Sequence, residues 1–248
     1  WNYEFKNFIY AKRQQSIIKY FNTFDHIIVL AETFKQQISE LNIHSTKISV
    51  VTTGIDKNEF KSLTKKNESE STLNILFLSR IEKAKGITEF IESLPKVVEQ
   101  FPNIRYHIAG SGDYLDSIKI HPVALSYSEH IIFHGYIRGK KKLNLFKNSD
   151  LFVFPSYSEG CPVSVLEALA AGLPIIFTEV GALPDILKNN INGIKVAKQS
   201  SKEIAEAIIS LMDNETLRKN ISIENLKYSS NFDLTIIHKK LETIYTTL

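Results

Sequence analysis

Cysteine is nearly absent from this sequence, since Cys161 is the one thiol among 248 residues. A single cysteine makes no internal disulfide, which favours a reducing, cytoplasmic setting. The seven histidines form no metal-ligand pattern with it. His130 and His134 flank an apolar triplet that predicts a strand, whereas a zinc site usually needs three or four converging ligands. We therefore expect no bound metal.

Long hydrophobic runs are also lacking. The longest, such as Ile27 to Ala31 and Leu151 to Phe154, are far shorter than the roughly 20 residues that span a bilayer, so no transmembrane helix is predicted. The net charge of +3 comes without an arginine-rich block, and nucleic acid is not an expected partner. Because the chain begins at Trp1 without an initiator methionine or a secretory signal, we expect a fragment of a longer protein.

Strand-like and helix-like segments alternate along the chain, which is typical of an α/β protein with a parallel sheet. Before Gly54 the pattern predicts strands at Asp25–Leu30 and Lys47–Val51 around a helix from Glu32 to Leu41. These 54 residues are marginal for an independent core. After a polar stretch from Lys61 to Ser71, the chain continues into what we predict to be a second domain.

The second domain is predicted to be Rossmann-like, with six strands in a doubly wound parallel sheet. One helix is predicted from Ile87 to Val98, and helices fill most of Lys202 to Leu248 with a break around Ser229 to Asp233. The six strands are predicted at Leu73–Leu78, Arg105–Ala109, Ile131–Phe133, Leu151–Phe154, Pro174–Phe177 and Gly193–Val196.

The most informative segment follows the strand Leu151–Phe154 and carries two carboxylates, Glu159 and Glu167, with seven residues between them. Pro162 suits the first turn of a helix and Gly172 its left-handed end, so a helix is predicted from about Pro162 to Ala171. If the whole stretch from Glu159 to Glu167 were helical, the two Cα atoms would lie roughly 12 Å apart. A glycosidase pair stands about 5 to 9.5 Å apart, so we expect these carboxylates to hold different parts of one elongated ligand. The alternative is that Glu159 caps the helix and Glu167 is solvated.

The string SDLFVFPSYSEGCPVSVLEALAAG resembles the Glu-x7-Glu signature of the retaining GT-B glycosyltransferases of family four. The resemblance extends from about Val50 to Phe232. It implies a GT-B fold with a partial second Rossmann-like domain at the N-terminus. In that division, residues 1–54 end the acceptor domain, residues 55–231 bind the nucleotide-sugar donor, and residues 232–248 form a helix that returns to the first domain.

Two cations, Arg80 and Lys85, stand at a predicted strand-to-helix turn, where they can meet a diphosphate or remain surface charges. The string SRIEKAKG resembles the family's "GRL-x-x-x-KG" motif, with Ser79 in place of the usual glycine. The resemblance therefore implies that Arg80 and Lys85 contact the diphosphate. Since no Asp-x-Asp element is present, cationic side chains can stabilise the leaving group without a metal.

Other site residues follow from the same resemblance. Glu167 is expected on the ribose hydroxyls and Glu159 near the donor sugar, so the expected catalytic groups are Glu159, Arg80 and Lys85. Tyr136 and Ile137 would cover the base, although a loop packing role is nearly as good an interpretation. The remaining donor-binding residues are expected to be Gly110, Gly112, Gly160, Cys161, Val163 and Ser164.

Gly110-Ser111-Gly112 also has rival interpretations. It begins like a dinucleotide fingerprint, but Leu115 occupies the position of the third glycine, which argues against an NAD-dependent oxidoreductase. A tight turn after a strand is an equally good interpretation. A non-catalytic nucleotide-sugar-binding module and a sugar-nucleotide epimerase are two further alternatives to a transferase.

The expected partners are a nucleotide sugar and a saccharide or lipid-linked acceptor, with no cofactor. By resemblance, the acceptor pocket and a catalytically important histidine would belong to the part of the N-terminal domain not included here. The aromatic and basic stretch from Trp1 to Lys19 and the basic cluster Arg138, Lys140, Lys141 and Lys142 are compatible with peripheral membrane contact. A helix packed on its own domain explains the first stretch equally simply.

Overall fold

A computed structural model describes residues 15–61 and 72–247. It contains a two-stranded parallel sheet, β1-β2, and a six-stranded parallel sheet in the order β5-β4-β3-β6-β7-β8. The strands are β1 (Ile27–Val29), β2 (Ile48–Val50), β3 (Leu73–Leu78), β4 (Ile104–Ala109), β5 (Ile131–Gly135), β6 (Leu151–Phe154), β7 (Ile175–Phe177) and β8 (Gly193–Lys195).

Helices separate most of these strands along the chain. The helix α1 covers residues 15–22 of the described part. The others are α2 (Glu32–Ser39), α3 (Asn58–Lys61), α4 (Ile87–Glu92), α5 (Leu94–Val98), α6 (Leu115–Lys119), α7 (Pro122–Ser126), α8 (Gly139–Lys147), α9 (Val163–Ala170), α10 (Leu183–Ile186), α11 (Ser201–Asp213), α12 (Glu215–Tyr228) and α13 (Leu234–Thr247).

All eight predicted strands are present, and β3 and β6 have the predicted bounds. The single helix predicted from Ile87 to Val98 is wrong in detail, because the structure divides it into α4 and α5. Pro95 has no N–H with which to continue the helical ladder, and the Ser93 hydroxyl instead donates to the Phe90 carbonyl at 2.6 Å.

Each face of the large sheet has its own apolar core, as a doubly wound fold requires. On one face, α4, α5 and α11 cover Ile75 and Phe77 of β3. On the other face, α9 lies with Leu76 and with Phe152 of β6 in a second cluster. Because neighbouring residues of a strand point to opposite faces, the apolar residues of these strands are buried on both sides of the sheet, between two helical layers.

The last helix begins beside the segment that joins the two sheets. The Ile55 N–H donates to the Phe232 carbonyl at 2.9 Å, and the Leu234 N–H donates to the Ile55 carbonyl at 3.0 Å. A 3₁₀ turn, Ser229–Phe232, separates α12 from α13, at the predicted break. None of the helices in the described ranges has the length and apolarity needed to cross a membrane.

Candidate functional site

The helix α9 and the loop before it carry the two carboxylates of the Glu-x7-Glu segment. It begins at Val163, so Pro162 is its N-cap rather than its first residue. Gly172 has the predicted left-handed conformation, with φ of +69°. Glu159 lies in the loop before the helix and Glu167 lies within it, which is the arrangement that the spacing predicted.

Glu159 is bound by Lys85, the second of the two predicted cations. Lys85 Nζ lies 2.6 Å from Glu159 Oε1, and the two side chains are only 9% and 10% exposed. The surrounding loops are fixed by main-chain contacts, since the Tyr157 N–H donates to the Ala84 carbonyl at 2.8 Å. At Gly86 an added Cβ would lie 2.2 Å from the Pro155 carbonyl oxygen, so a glycine permits this close approach.

Arg80 has a different environment from Lys85. Its side chain is 71% exposed and lies 2.6 Å from Glu82 Oε1. An exposed guanidinium of this kind changes partners at little cost. The sequence grouped Arg80 and Lys85 as equivalent diphosphate ligands, but the structure gives one a buried carboxylate partner and leaves the other at the surface.

A cavity of about 440 Å³ opens beside Arg80. Its walls come from the ends of β3 and β4, from the turn after β5 and from the first turn of α9. The lining residues are Leu78, Ser79, Arg80, Ala109, Gly110, Ser111, Tyr136, Ile137 and Ser164. Five predicted site residues, Arg80, Gly110, Tyr136, Ile137 and Ser164, are therefore brought to one cavity.

Gly110 and Gly112 lie in a turn that another loop approaches too closely for a side chain to fit. An added Cβ at Gly110, where φ is +140°, would lie 1.8 Å from the Ser79 carbonyl oxygen. At Gly112 it would lie 2.4 Å from the Ile81 carbonyl oxygen. The tight-turn interpretation thus accounts for both glycines, and the same packing forms the cavity wall at Gly110.

Glu167 is buried, with 7% of its surface exposed, so it is not a solvated helix residue. Its Oε1 accepts a hydrogen bond from Lys142 Nζ. Burial raises the pKa of this carboxyl above its ordinary value of 4.5, the Lys142 ammonium acts to lower it, and the Glu59 carboxylate acts to raise it. Sequence reasoning missed Lys142, because a lysine in a basic run is usually solvated.

Two histidines lie under the turn that carries Tyr136. His134 Nε2 and His107 Nδ1 are 2.9 Å apart, and His107 Nε2 is 2.9 Å from Asn74 Oδ1. Because an amide oxygen accepts, His107 donates from Nε2 and receives a hydrogen bond from His134 at Nδ1. Burial lowers the pKa of His134, which favours the neutral form of its ring.

His130 and His134, which flank a predicted strand in the sequence, form hydrogen bonds with different partners. His130 Nδ1 lies 3.0 Å from the Ile104 carbonyl, whereas His134 pairs with His107. Within residues 15–61 and 72–247, no group of three or more histidine, cysteine, aspartate or glutamate side chains is arranged to hold a metal ion.

The remaining predicted residues surround the entry to α9. Val163 is 43% exposed, and Cys161 is half-buried. An added Cβ at Gly160 would lie 3.9 Å from Leu30, which follows β1. A methyl group at this position would therefore make an ordinary van der Waals contact with Leu30.

Comparisons with known proteins show which family model and which relatives this chain matches. The family model described as "Glycosyl transferases group 1" matches residues 57–227. CapM of Staphylococcus aureus, a capsular polysaccharide biosynthesis glycosyltransferase, is 30% identical over 234 residues, which are 89% of this chain and 61% of CapM. The uncharacterized glycosyltransferase MJ1607 of Methanocaldococcus jannaschii is 29% identical over 223 residues, 85% of this chain and 57% of that protein.

A third relative is named for its lipid-linked substrate, the N,N'-diacetylbacillosaminyl-diphospho-undecaprenol alpha-1,3-N-acetylgalactosaminyltransferase of Campylobacter jejuni. It is 27% identical over 229 residues, which are 88% of this chain and 59% of that enzyme. The chain thus spans about three fifths of the length of these relatives.

Among solved structures, Anabaena Alr3699/HepE in complex with UDP is similar, with a TM-score of 0.83, 17% identity and coverage of 96% of this chain and 68% of that one. At this identity the likeness establishes the fold, which is the GT-B type that the sequence predicted.

Proposed function

The chain belongs to the glycosyl transferases group 1 family, and from this premise we propose that it forms the donor-binding part of a retaining glycosyltransferase. The donor is a nucleoside-diphosphate sugar, and the acceptor is a saccharide or a lipid-linked saccharide. The names of two relatives support this acceptor class, since one acts in capsular polysaccharide biosynthesis and the other on a diphospho-undecaprenol substrate. We also propose a cytoplasmic location, which the single cysteine of the chain favours.

The position of the cavity carries the proposal. In the strand order β5-β4-β3-β6, the chain reverses direction across the sheet between β3 and β6. Open α/β sheets bind ligands outside the carboxyl ends of their strands at such a point. The cavity lies there, against Ser79 after β3, Ala109 at the end of β4 and Ser164 in α9. Its volume of about 440 Å³ is in the usual range for a small-molecule site.

Each part of the donor has a corresponding group at this site. Tyr136 and Ile137 would cover the base, and Glu167, one helical turn beyond Ser164, would accept hydrogen bonds from the ribose hydroxyls. Arg80 would contact the diphosphate first because it is exposed, and Lys85 would remain with Glu159 nearer the donor sugar. Cations placed in this way stabilise the departing nucleoside diphosphate without a metal.

The reaction proposed here retains the anomeric configuration. The acceptor hydroxyl attacks the anomeric carbon on the face from which the nucleoside diphosphate departs. The new glycosidic bond forms as the bond to the diphosphate oxygen breaks, and the leaving oxygen keeps the electron pair. The hydroxyl proton passes to that departing phosphate group. Arg80 is the group that we expect to compensate the charge that develops there.

Peripheral membrane contact is a separate part of the proposal. Arg138, Lys140 and Lys141 are exposed at the start of α8, where they are available to anionic headgroups. Lys142 differs because it binds Glu167. The aromatic stretch that begins at Trp1 lies outside the described residues through position 14.

Thermal unfolding with UDP, GDP, ADP, CDP and NAD tests the donor site. A ligand at one hundred times its dissociation constant adds about 2.7 kcal/mol of stability. We expect stabilisation by one nucleoside diphosphate, and a clearly smaller stabilisation of Glu167→Gln at the same ligand concentration. Glu206→Gln is the matched control, because Glu206 is an exposed carboxylate on another helix. Stabilisation by NAD alone would support an oxidoreductase, and the absence of any shift in folded protein would contradict the donor site.

A turnover assay separates a transferase from its rivals. Release of nucleoside diphosphate that depends on an added acceptor supports a transferase, whereas a change in the sugar without any acceptor supports an epimerase. Binding without either reaction supports a non-catalytic module when the assayed protein also carries an intact N-terminal domain. Arg80→Ala is the informative variant, because replacing Lys85 would leave the buried Glu159 carboxylate unpaired and disturb the fold.

A further inference from the structure

Lys142 makes a contact that neighbouring cations of the same helix do not share. Its ammonium donates to Glu167 Oε1, and its side chain is 23% exposed against 9% for Glu167. Arg138, Lys140 and Lys141 are all exposed. Lys142 and Glu167 are on different helices, so their contact depends on the packing of α8 beside α9 rather than on helical spacing.

The surroundings of Glu167 oppose its ionisation. Burial disfavours the charged carboxylate, and the Glu59 carboxylate, in the short helix α3, adds a repulsion of the same sign. Lys142 is the cation that counters both effects. A carboxyl group accepts hydrogen bonds from two ribose hydroxyls best when it is ionised, because protonation replaces one of its acceptor positions with a donor.

We propose that Lys142 is a positioning residue that holds Glu167 ionised and oriented for the two ribose hydroxyls of the donor. This inference rests on the proposed function and adds a residue to it. An ionised carboxylate has about four acceptor positions on its two oxygens. Lys142 occupies one position on Oε1, so the pair leaves room for a diol and need not separate when the nucleotide binds.

The test compares UDP with 2′,3′-dideoxyuridine 5′-diphosphate, or the same pair with another base if the thermal screen selects one. The two ligands share the base and the diphosphate and differ only in the ribose hydroxyls. We expect the wild-type protein to bind UDP about 10- to 100-fold more tightly than the dideoxy analogue, since hydrogen bonds to charged groups contribute about 1.5–3 kcal/mol.

In Lys142→Met, the preference for UDP over the dideoxy analogue is expected to fall by about 10-fold, because the carboxylate loses its counter-charge. Affinity for the dideoxy analogue should remain within about twofold of the wild type. Lys142→Arg is expected to restore the preference, since arginine keeps the charge and a donor. Lys141→Met is the matched control, because it removes an exposed cation from the same helix.

The pH profile provides a second readout. Without Lys142, the pKa of Glu167 is expected to rise further, so the preference for UDP should disappear at a higher pH than in the wild type. The diphosphate titrates in both ligands, and its effect cancels in the ratio of their affinities. A merely structural role for Lys142 would not move this profile.

The possible results are distinguishable. If the wild-type protein binds neither ligand, both the donor site and this inference are overturned. Equal wild-type affinities would refute the ribose role of Glu167 and therefore that of Lys142. If the wild type prefers UDP and Lys142→Met keeps the preference, or weakens both ligands equally, the inference alone is overturned, and Lys142 only joins α8 to α9.

Discussion

Replacing Lys85 by methionine should destabilise the protein far more than removing a surface lysine. The ammonium lies 2.6 Å from Glu159, and both side chains are about nine-tenths buried. Methionine fills a similar volume without the charge, so the change leaves a buried carboxylate without its cation. Breaking a buried pair from one side costs about 3–5 kcal/mol, a large part of the 5–15 kcal/mol that holds a typical domain together.

A double-mutant cycle isolates this effect. Lys85→Met and Glu159→Gln each leave one partner behind, whereas the double variant removes both charges and should be more stable than the Lys85→Met variant. The measurement is the free energy of unfolding in urea, with the coupling taken from the four proteins. The double variant should approach the wild type, because replacing both members of a buried pair is often nearly neutral.

The control pair is Lys195 and Glu179, which lie 3.3 Å apart but are 44% and 52% exposed. Their coupling should be at most about 1 kcal/mol. The prediction is refuted if the effects of Lys85→Met and Glu159→Gln simply add. It is also refuted if their coupling energy is no larger than that of the control pair, because burial would then not strengthen the Lys85–Glu159 interaction.

Three further predictions concern stability. Burial raises the pKa of Glu167 in the folded state. The stabilising contribution of the Glu167 carboxyl is therefore fully present below its unfolded-state pKa and is lost as the pH rises through its folded-state pKa. In Glu167→Gln the free energy of unfolding should consequently change less between pH 4.5 and neutrality than in the wild type. Gly110→Ala should lower the free energy of unfolding by at least about 3 kcal/mol and weaken UDP binding, because the added Cβ would lie 1.8 Å from a carbonyl oxygen. Gly139→Ala is the control, since nothing lies within 4 Å of its added Cβ, and it should cost only about 1–2 kcal/mol. Equal urea midpoints for the two variants would contradict this prediction. Asn225→Leu should lower the free energy of unfolding by at least about 2 kcal/mol. The buried Asn225 amide donates to the Leu173 carbonyl at 2.7 Å and to the Asn192 carbonyl at 3.0 Å, and the variant loses both hydrogen bonds. A free energy of unfolding equal to that of the wild type would contradict this prediction.

The sheet was predictable because its strands are buried on both faces. Leu151–Phe154 is an uninterrupted apolar run and Leu73–Leu78 is apolar except for Asn74, and the structure gives β6 and β3 these bounds. Other strand ends moved by one or two residues, for example at β5, which continues to Gly135. Such ends depend on pairing with a neighbouring strand, which is not encoded within the strand itself.

The long-range ion pairs were not predictable from local patterns. Glu159 and Lys85 were each selected, but their mutual contact joins residues 74 positions apart. Lys142 stood in a basic run that is normally solvated, and only the packing of α8 places it against Glu167. Sequence motifs therefore identified chemically suitable residues, while the pairing of their charges depended on the tertiary fold.

The different environments of Arg80 and Lys85 indicate which of the two cations is available to bind a diphosphate. Lys85 is held by a buried carboxylate, so moving it onto a ligand would require separating an ion pair in a largely dehydrated environment. Arg80 lies at the cavity with its side chain 71% exposed, and its guanidinium can exchange Glu82 for a diphosphate while gaining a bidentate contact. Arg80→Lys should therefore weaken nucleotide binding although the charge is kept, and equal affinities for a nucleoside diphosphate in the two proteins would refute the fork-like contact.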